Sequence, residues 1–295
     1  MNIKAIIQLL RPQQWVKNGF IFLPLFFNGQ LRDINGIYNC IIAFVSFSLA
    51  ASSIYCFNDI HDREADRQHP EKQQRPVASG VISISTAYIV MLICLILFVF
   101  SLFLFDDKVR YGLLGFVGTY YLLNLAYTIF LKRFSIVDVT IIAIGFVLRI
   151  FAGGYATNTP ISEWIVIMTF LLALFLAFAK RRGDAVIFQN TGLKLRTNAG
   201  SYSVGFVNQV MTVIAAIIIV AYIMYTISPE VTTRFQCKYV YVTAIFVLAG
   251  IIRYLQIAFV DSQNSGDPTK IILRDRFIQI CILGWLIAFL VIIYS

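Results

Sequence analysis

The chain has 295 residues, 59% of them hydrophobic and 13% charged, with a net charge of +9 and a mean hydropathy of +0.79. Soluble domains carry about 25% charged residues, so this composition excludes an ordinary soluble enzyme and predicts an integral membrane protein. The positive charge does not indicate nucleic-acid binding, because cytoplasmic loops that face anionic lipid are basic in any case.

A helix that crosses hydrocarbon needs about 20 mainly apolar residues. Such runs lie at 14–30, 36–57, 83–105, 110–130, 135–155, 161–179, 204–227, 238–260 and 277–295. The predicted fold class is therefore all-α: one polytopic domain over residues 1–295, with nine transmembrane helices around a polar cavity that opens to the cytoplasm. The first run is interrupted by Pro24, is flanked by Arg11, Trp15 and Lys17, and lacks a small-residue cleavage site, which predicts a retained helix and not a signal peptide.

Lys and Arg counted over the short loops set the orientation. With the N-terminus in the cytoplasm, 17 fall inside and five outside (Arg32, Lys108, Arg110, Arg234 and Lys238), while Arg149 and Arg253 lie within helices. The expected location is the cell membrane, multi-pass, with the N-terminus and the functional site cytoplasmic. Loops 58–80 and 180–203, the two long ones, share that face.

The second run ends in NDIHDREAD, residues 58–66, in a chain with only 15 acidic residues; five of them lie between Asp59 and Glu71. At about 100° per helical residue, Asn58, Asp59, Asp62 and Asp66 fall within one arc of about 100°. Three converging carboxylates repel one another unless a cation neutralises them. Hard oxygen ligands suit Mg²⁺, which takes one or two protein carboxylates and completes its shell with water and substrate phosphates. Lys72 and Arg75, just beyond, fit an anionic ligand bridged by that metal. The competing reading is a solvated helix end whose Asp residues pair with Arg63 and Arg67. His61 and His69 flank the motif, but neither has a Cys or second His at zinc-ligand spacing.

Further along, Asn124 and Tyr127 precede Lys132 and Arg133 at the end of the fourth run, where the cations serve either topology or a ligand. Arg149 lies eleven residues past Asp138 on the fifth, about 16 Å deeper at 1.5 Å per residue. A guanidinium at that depth needs a partner, and either Asp138 or a ligand phosphate would supply one. Gly145, Ala152, Gly153 and Gly154 allow close helix packing. The sixth run ends in AKRRGD, with Lys180 and Asp184 four residues apart on one helical face and Arg181 beside them. Lys270, Arg274 and Arg276 serve topology. Cys40, Cys56, Cys94, Cys237 and Cys281 form no C-x-x-C pair and read as packing residues.

NDIHDREAD resembles the N-D-x-x-D-x-x-x-D motif of the UbiA-type superfamily of intramembrane prenyltransferases, nine-helix proteins that carry it after the second helix. The resemblance implies that Asn58, Asp59, Asp62 and Asp66 hold Mg²⁺ on a diphosphate leaving group. Other members carry a second D-x-x-x-D after the sixth helix, where this chain reads KRRGD with Lys180 in place of the first Asp. Their Tyr-x-x-x-Lys is one residue longer here, Tyr127 to Lys132. With RPQQWVKN at 11–18 and GFVLRIFAGG at 145–154, these departures resemble the phosphoribosyltransferase branch. That branch moves 5-phosphoribose from phosphoribosyl diphosphate to a polyprenyl (decaprenyl-like) phosphate and releases pyrophosphate.

The expected roles follow. Asp59, Asp62 and Asp66 are catalytic through the metal, and Lys17, Asn58, Arg75, Tyr127, Lys132, Arg149, Lys180, Arg181 and Asp184 bind substrate. The donor's 5-phosphate explains the extra cations. Membrane lipid is the other expected partner, and oligomeric state stays open, a homo-oligomer included. The alternatives are a prenyltransferase with an isoprenyl diphosphate donor and, from another class, a transporter with a divalent-cation site.

Overall fold

The structure is a computed structural model and describes residues 3–68, 72–192, 199–260 and 268–294. Of the sequence features above, His69, Glu71 and residues 193–198 of the loop 180–203 lie outside the described residues. The chain divides into two compact units, Met1–Lys132 with Ile144–Ser162, and Arg133–Ala143 with Glu163–Ser295. All regular elements among the described residues are helical.

In the first unit α1 (Ile3–Leu10) stops where Pro12 disfavours helical backbone at the preceding residue. Arg11 takes φ 53° and ψ 57°, the left-handed region. A 3₁₀ segment, Pro12–Phe22, follows, then the short α2 (Leu23–Phe27). Asp33 caps the long α3 (Ile34–His61), accepting the Asn35 amide at 3.1 Å. After α3 come α4 (Arg63–Arg67), then α5 (Ile84–Leu102), capped by Ser83, and α6 (Asp107–Ile129). Helix α7 (Val137–Ala156) begins in residues of the second unit and ends in residues of the first. Helix α3 lies against α1, the 3₁₀ segment, α5 and α6, and its inner side joins Ile21, Leu113, Tyr120 and Leu148 in the core.

The first apolar run is therefore not a long helix. Pro12 and Pro24 each lack an amide donor, and side-chain bonds take up the 3₁₀ segment instead. The Trp15 indole donates to Ser52 Oγ at 3.0 Å, and Asn18 Nδ2 donates to Ser48 Oγ at 2.8 Å. A Cβ built on Gly153 would sit 2.8 Å from the Ile21 carbonyl carbon, so only glycine permits this approach. Eight described helical stretches, among them Lys238–Phe259 with its 3₁₀ start, are long and apolar enough to cross a membrane, close to the nine expected.

The second unit contains α8 (Glu163–Thr191), α9 (Val204–Ile227), α10 (Pro229–Arg234), α11 (Ala244–Phe259), α12 (Pro268–Arg274) and α13 (Arg276–Tyr294). Helix α8 packs on α9, and α11 on α9 and α13, around Phe175, Phe178, Met211, Ile218 and Tyr254. Helix α8 runs twelve residues past the predicted end of its apolar run at 179, so KRRGD lies on a helix and not in a loop. Nothing breaks the helix before Gly192, which takes φ +70°. All five cysteines are free, four of them buried, as packing residues should be.

Candidate active site

The acidic motif is built where α3 hands over to α4. Asp62 ends the first helix and begins the second, and the Asp62 and Asp66 amides donate to the Asn58 and Asp62 carbonyls at 2.9 and 2.8 Å. The i to i+4 ladder thus continues through the junction, and the four motif residues share one side as the helical period predicts.

Their side chains part into two groups. Asp59 and Asp66 converge on one atom: Arg75 Nη1 stands 3.3 Å from Asp59 Oδ1 and 2.6 Å from Asp66 Oδ2. Arg11 adds a second guanidinium on Asp59 Oδ1 and lies 5.2 Å above the Tyr55 ring. Asp62 instead meets Lys132 Nζ at 2.5 Å, and Asn58 meets the Thr128 hydroxyl. Neither Arg63 nor Arg67 neutralises the aspartates: both face Glu64, and Arg67 Nε also donates to the Ala78 carbonyl at 3.0 Å.

A buried carboxylate is stable only when its oxygens are compensated. Asp59 is 1% exposed and its Oδ1 is shared by two arginines, yet Oδ2 is buried with no hydrogen-bond partner among the described residues. An open, buried, anionic oxygen beside a second carboxylate is a donor set that suits a small hard cation. Asp59 and Asp66 fit Mg²⁺ on this ground. Asn58 and Asp62 are turned to Thr128 and Lys132, and among the described residues no three His, Cys, Asp or Glu side chains gather as an ion-holding group.

Arg149 has a different set of partners from either one expected. Its Nε donates to Asn18 Oδ1 at 2.8 Å, Nη1 to the Gly145 carbonyl at 2.6 Å, and Nη2 to the Tyr120 hydroxyl at 3.2 Å. The guanidinium lies 4.6 Å from the Phe47 ring and 4.7 Å from that of Tyr120. Every nitrogen is used and the residue is 4% exposed, so Arg149 ties the 3₁₀ segment to α6 and α7. Lys17 and Tyr127 are half-buried in this unit.

In the second unit Asp138 pairs with Arg181, Nε to Oδ2 at 2.6 Å, with both side chains 1% exposed. Tyr202 donates to Asp138 Oδ1 at 2.6 Å and accepts the Ile136 amide at 2.7 Å. Burial, reinforced by the bond to Asp138, holds the Tyr202 phenol above its ordinary range. Arg181 Nη1 reaches Asp184 at 3.5 Å, while Lys180, one residue earlier on α8, is exposed. Arg253 is met by Asp275 at 2.8 Å.

Sequence reasoning missed Arg11, Asn18, Tyr120, Thr128 and Tyr202. Arg11 had one usable signal: a long cation immediately before a proline marks a helix end that can aim it.

Residues 28–278 match the UbiA prenyltransferase family. The chain is 31% identical, over 98% of its length and 87% of the relative's, to a decaprenyl-phosphate phosphoribosyltransferase of Corynebacterium glutamicum. It is 33% identical to the protein of that name from Mycolicibacterium smegmatis, covering 96% and 91% of the two chains. In fold it resembles a UbiA homologue from Archaeoglobus fulgidus, solved bound to DMAPP and Mg²⁺, at TM-score 0.69, 19% identity and coverage of 98% and 99%. Eight membrane-length helices, an acid-rich end to the long α3 and a family match across most of the length converge: this chain is a multi-pass membrane enzyme, a transferase belonging to the UbiA prenyltransferase family.

Proposed function

We propose that the protein acts as a single transferase that moves 5-phosphoribose from phosphoribosyl diphosphate to a polyprenyl phosphate at the cytoplasmic side of the membrane. The observation that carries this reading is the 31–33% identity, over nearly the whole chain, to decaprenyl-phosphate phosphoribosyltransferases. The replacement of a second acidic motif by Lys180 and Arg181 supports it. An isoprenyl diphosphate is anionic at one end only, whereas phosphoribosyl diphosphate brings a further phosphate that needs cations of its own.

A phosphate oxygen of the acceptor attacks C1 of the ribose as the bond from C1 to the diphosphate breaks, and pyrophosphate leaves with the electron pair. The attacking group is already an anion, so no strong general base is needed. Asp59 and Asp66 hold Mg²⁺, with Asp62 and Asn58 completing the polar rim; when bound, the metal supplies positive charge to the leaving oxygens. Arg75 and Lys132, which in the structure neutralise these acids, bind the donor's phosphates, and Lys17 and Tyr127 of the same unit add further substrate contacts. Arg149 acts as a positioning residue for the 3₁₀ segment. In the second unit Lys180 offers its ammonium to a phosphate, and Arg181 and Asp184 fix the helix end that carries it.

Membranes containing the chain, given labelled phosphoribosyl diphosphate and polyprenyl phosphate, are expected to form a labelled lipid in an Mg²⁺-dependent way. The doubly substituted Asp59→Asn, Asp62→Asn protein is expected to lose that activity. Transfer from a labelled isoprenyl diphosphate with none from phosphoribosyl diphosphate would overturn the donor.

A further inference from the structure

The cations around the acidic motif stand in an order that the metal reading does not require. Asp59 is fixed and 1% exposed, whereas the Arg11 and Arg75 side chains that neutralise it are 19% and 27% exposed. Arg11 is aimed from a left-handed backbone position at the head of the 3₁₀ segment. That segment is pinned by Trp15 to Ser52 and by Asn18 to Ser48. The guanidinium of Arg11 can therefore swing without moving its backbone. Arg75 Nη1 occupies the point where Asp59 and Asp66 converge, the place a cation would take.

We propose that Arg11 and Arg75 are displaceable counter-ions, which hold Asp59 and Asp66 in the metal-free protein and surrender them to a divalent cation. Released beside the motif, the two guanidiniums become ligands for an arriving diphosphate, so cation entry and anion binding are coupled. Arg11 is a positioning residue in the first state and an anion contact in the second. The physical ground is competition: two unit charges near 3 Å interact strongly wherever solvent is excluded, and a cation that reaches from Asp59 to Asp66 meets the place held by Arg75 Nη1 and draws the Asp59 carboxylate away from Arg11. Guanidiniums freed from their acids in a half-buried site need an anion in turn, and the donor's diphosphate is the anion the preceding reading supplies. The inference rests on that reading of the metal site.

The test uses the full chain in lipid nanodiscs, with Mn²⁺ as the probe, its binding followed by electron paramagnetic resonance with and without pyrophosphate. Arg11→Gln is expected to bind Mn²⁺ alone about tenfold more tightly than the wild type, within the usual range for coupled sites. The gain in Mn²⁺ affinity on adding pyrophosphate is expected to shrink by a similar factor in that variant. Direct contact between metal and pyrophosphate is common to both proteins and cancels in the ratio. Arg67→Gln, which removes the same charge from a residue facing Glu64, is expected to behave as the wild type. Should Arg11→Gln fail to fold, Arg75→Gln is judged by the same two readings. Equal Mn²⁺ affinity in Arg11→Gln and Arg67→Gln, or an undiminished pyrophosphate gain, overturns the inference and leaves the metal site standing. A wild type that binds no Mn²⁺ in either condition overturns the metal reading and the inference with it.

Discussion

Arg149→Lys keeps the charge and removes the planar fork. In the structure the guanidinium spends its three nitrogens on Asn18, Gly145 and Tyr120 and lies against the Phe47 and Tyr120 rings, which also touch each other. A lysine ammonium reaches one of these acceptors from a flexible stem and cannot stack as a plane. Two hydrogen bonds to a charged group are then lost, at roughly 1.5–3 kcal/mol each, against partial compensation by water and by rearrangement of Asn18 toward Ser48. A net loss of about 3 kcal/mol is expected, which for a chain of this size lowers the midpoint of thermal unfolding by on the order of 5–10 °C. The assay is ligand-free unfolding of the purified protein in one detergent at one scan rate, because membrane proteins unfold irreversibly and only matched scans compare. Asn18→Ala and the double variant complete a cycle with an expected coupling of about 1 kcal/mol. If Arg149 served a ligand phosphate, Arg149→Lys would raise the KM for the donor and leave the ligand-free midpoint unchanged. An unchanged midpoint, or additive effects with Asn18→Ala, would refute the reasoning.

Gly153→Ala places a methyl against the Ile21 carbonyl, so the 3₁₀ segment must shift, at about 1–3 kcal/mol. Gly19→Ala, with nothing within 4 Å, is expected to be tolerated in the same unfolding assay. Asp59→Asn is expected to weaken Mn²⁺ binding by at least the roughly tenfold carried even by groups that only hydrogen-bond a metal's ligands. Asp62→Asn weakens it less, since that side chain is 31% exposed and paired with Lys132; titration of both variants by paramagnetic resonance decides the order. Hydrogen bonds from Arg253 hold the Asp275 carboxyl below its ordinary range near 3.8. Its contribution to stability is therefore complete above that value and lost as the pH falls through the lower folded value. Asp275→Asn is accordingly expected to lower the unfolding midpoint at pH 7, and the difference from the wild type should close in strong acid.

The eight long helices and the position of the acidic motif could be read from the sequence because both are local. An apolar run declares its own length, and the spacing of Asn58, Asp59, Asp62 and Asp66 declares a face. The same logic did not reveal the form of residues 14–30, where the apolar run folds as a 3₁₀ segment and a short α-helix. There the outcome depended on Ser48 and Ser52 of α3 and on Gly153 of α7, partners far away in the chain.

Which cation meets which acid was also decided by tertiary structure alone. Arg63 and Arg67, the nearest in sequence, turn to Glu64, while Asp59 takes Arg11, 48 residues away, and Asp62 takes Lys132, 70 residues away. Asp138, the local candidate for Arg149, pairs with Arg181, and Arg149 bonds to Asn18 from 131 residues away. Periodicity constrains the direction in which a side chain leaves its own helix. It carries no information about which distant segment arrives to meet it, and in this chain that arrival sets the charge balance of the site.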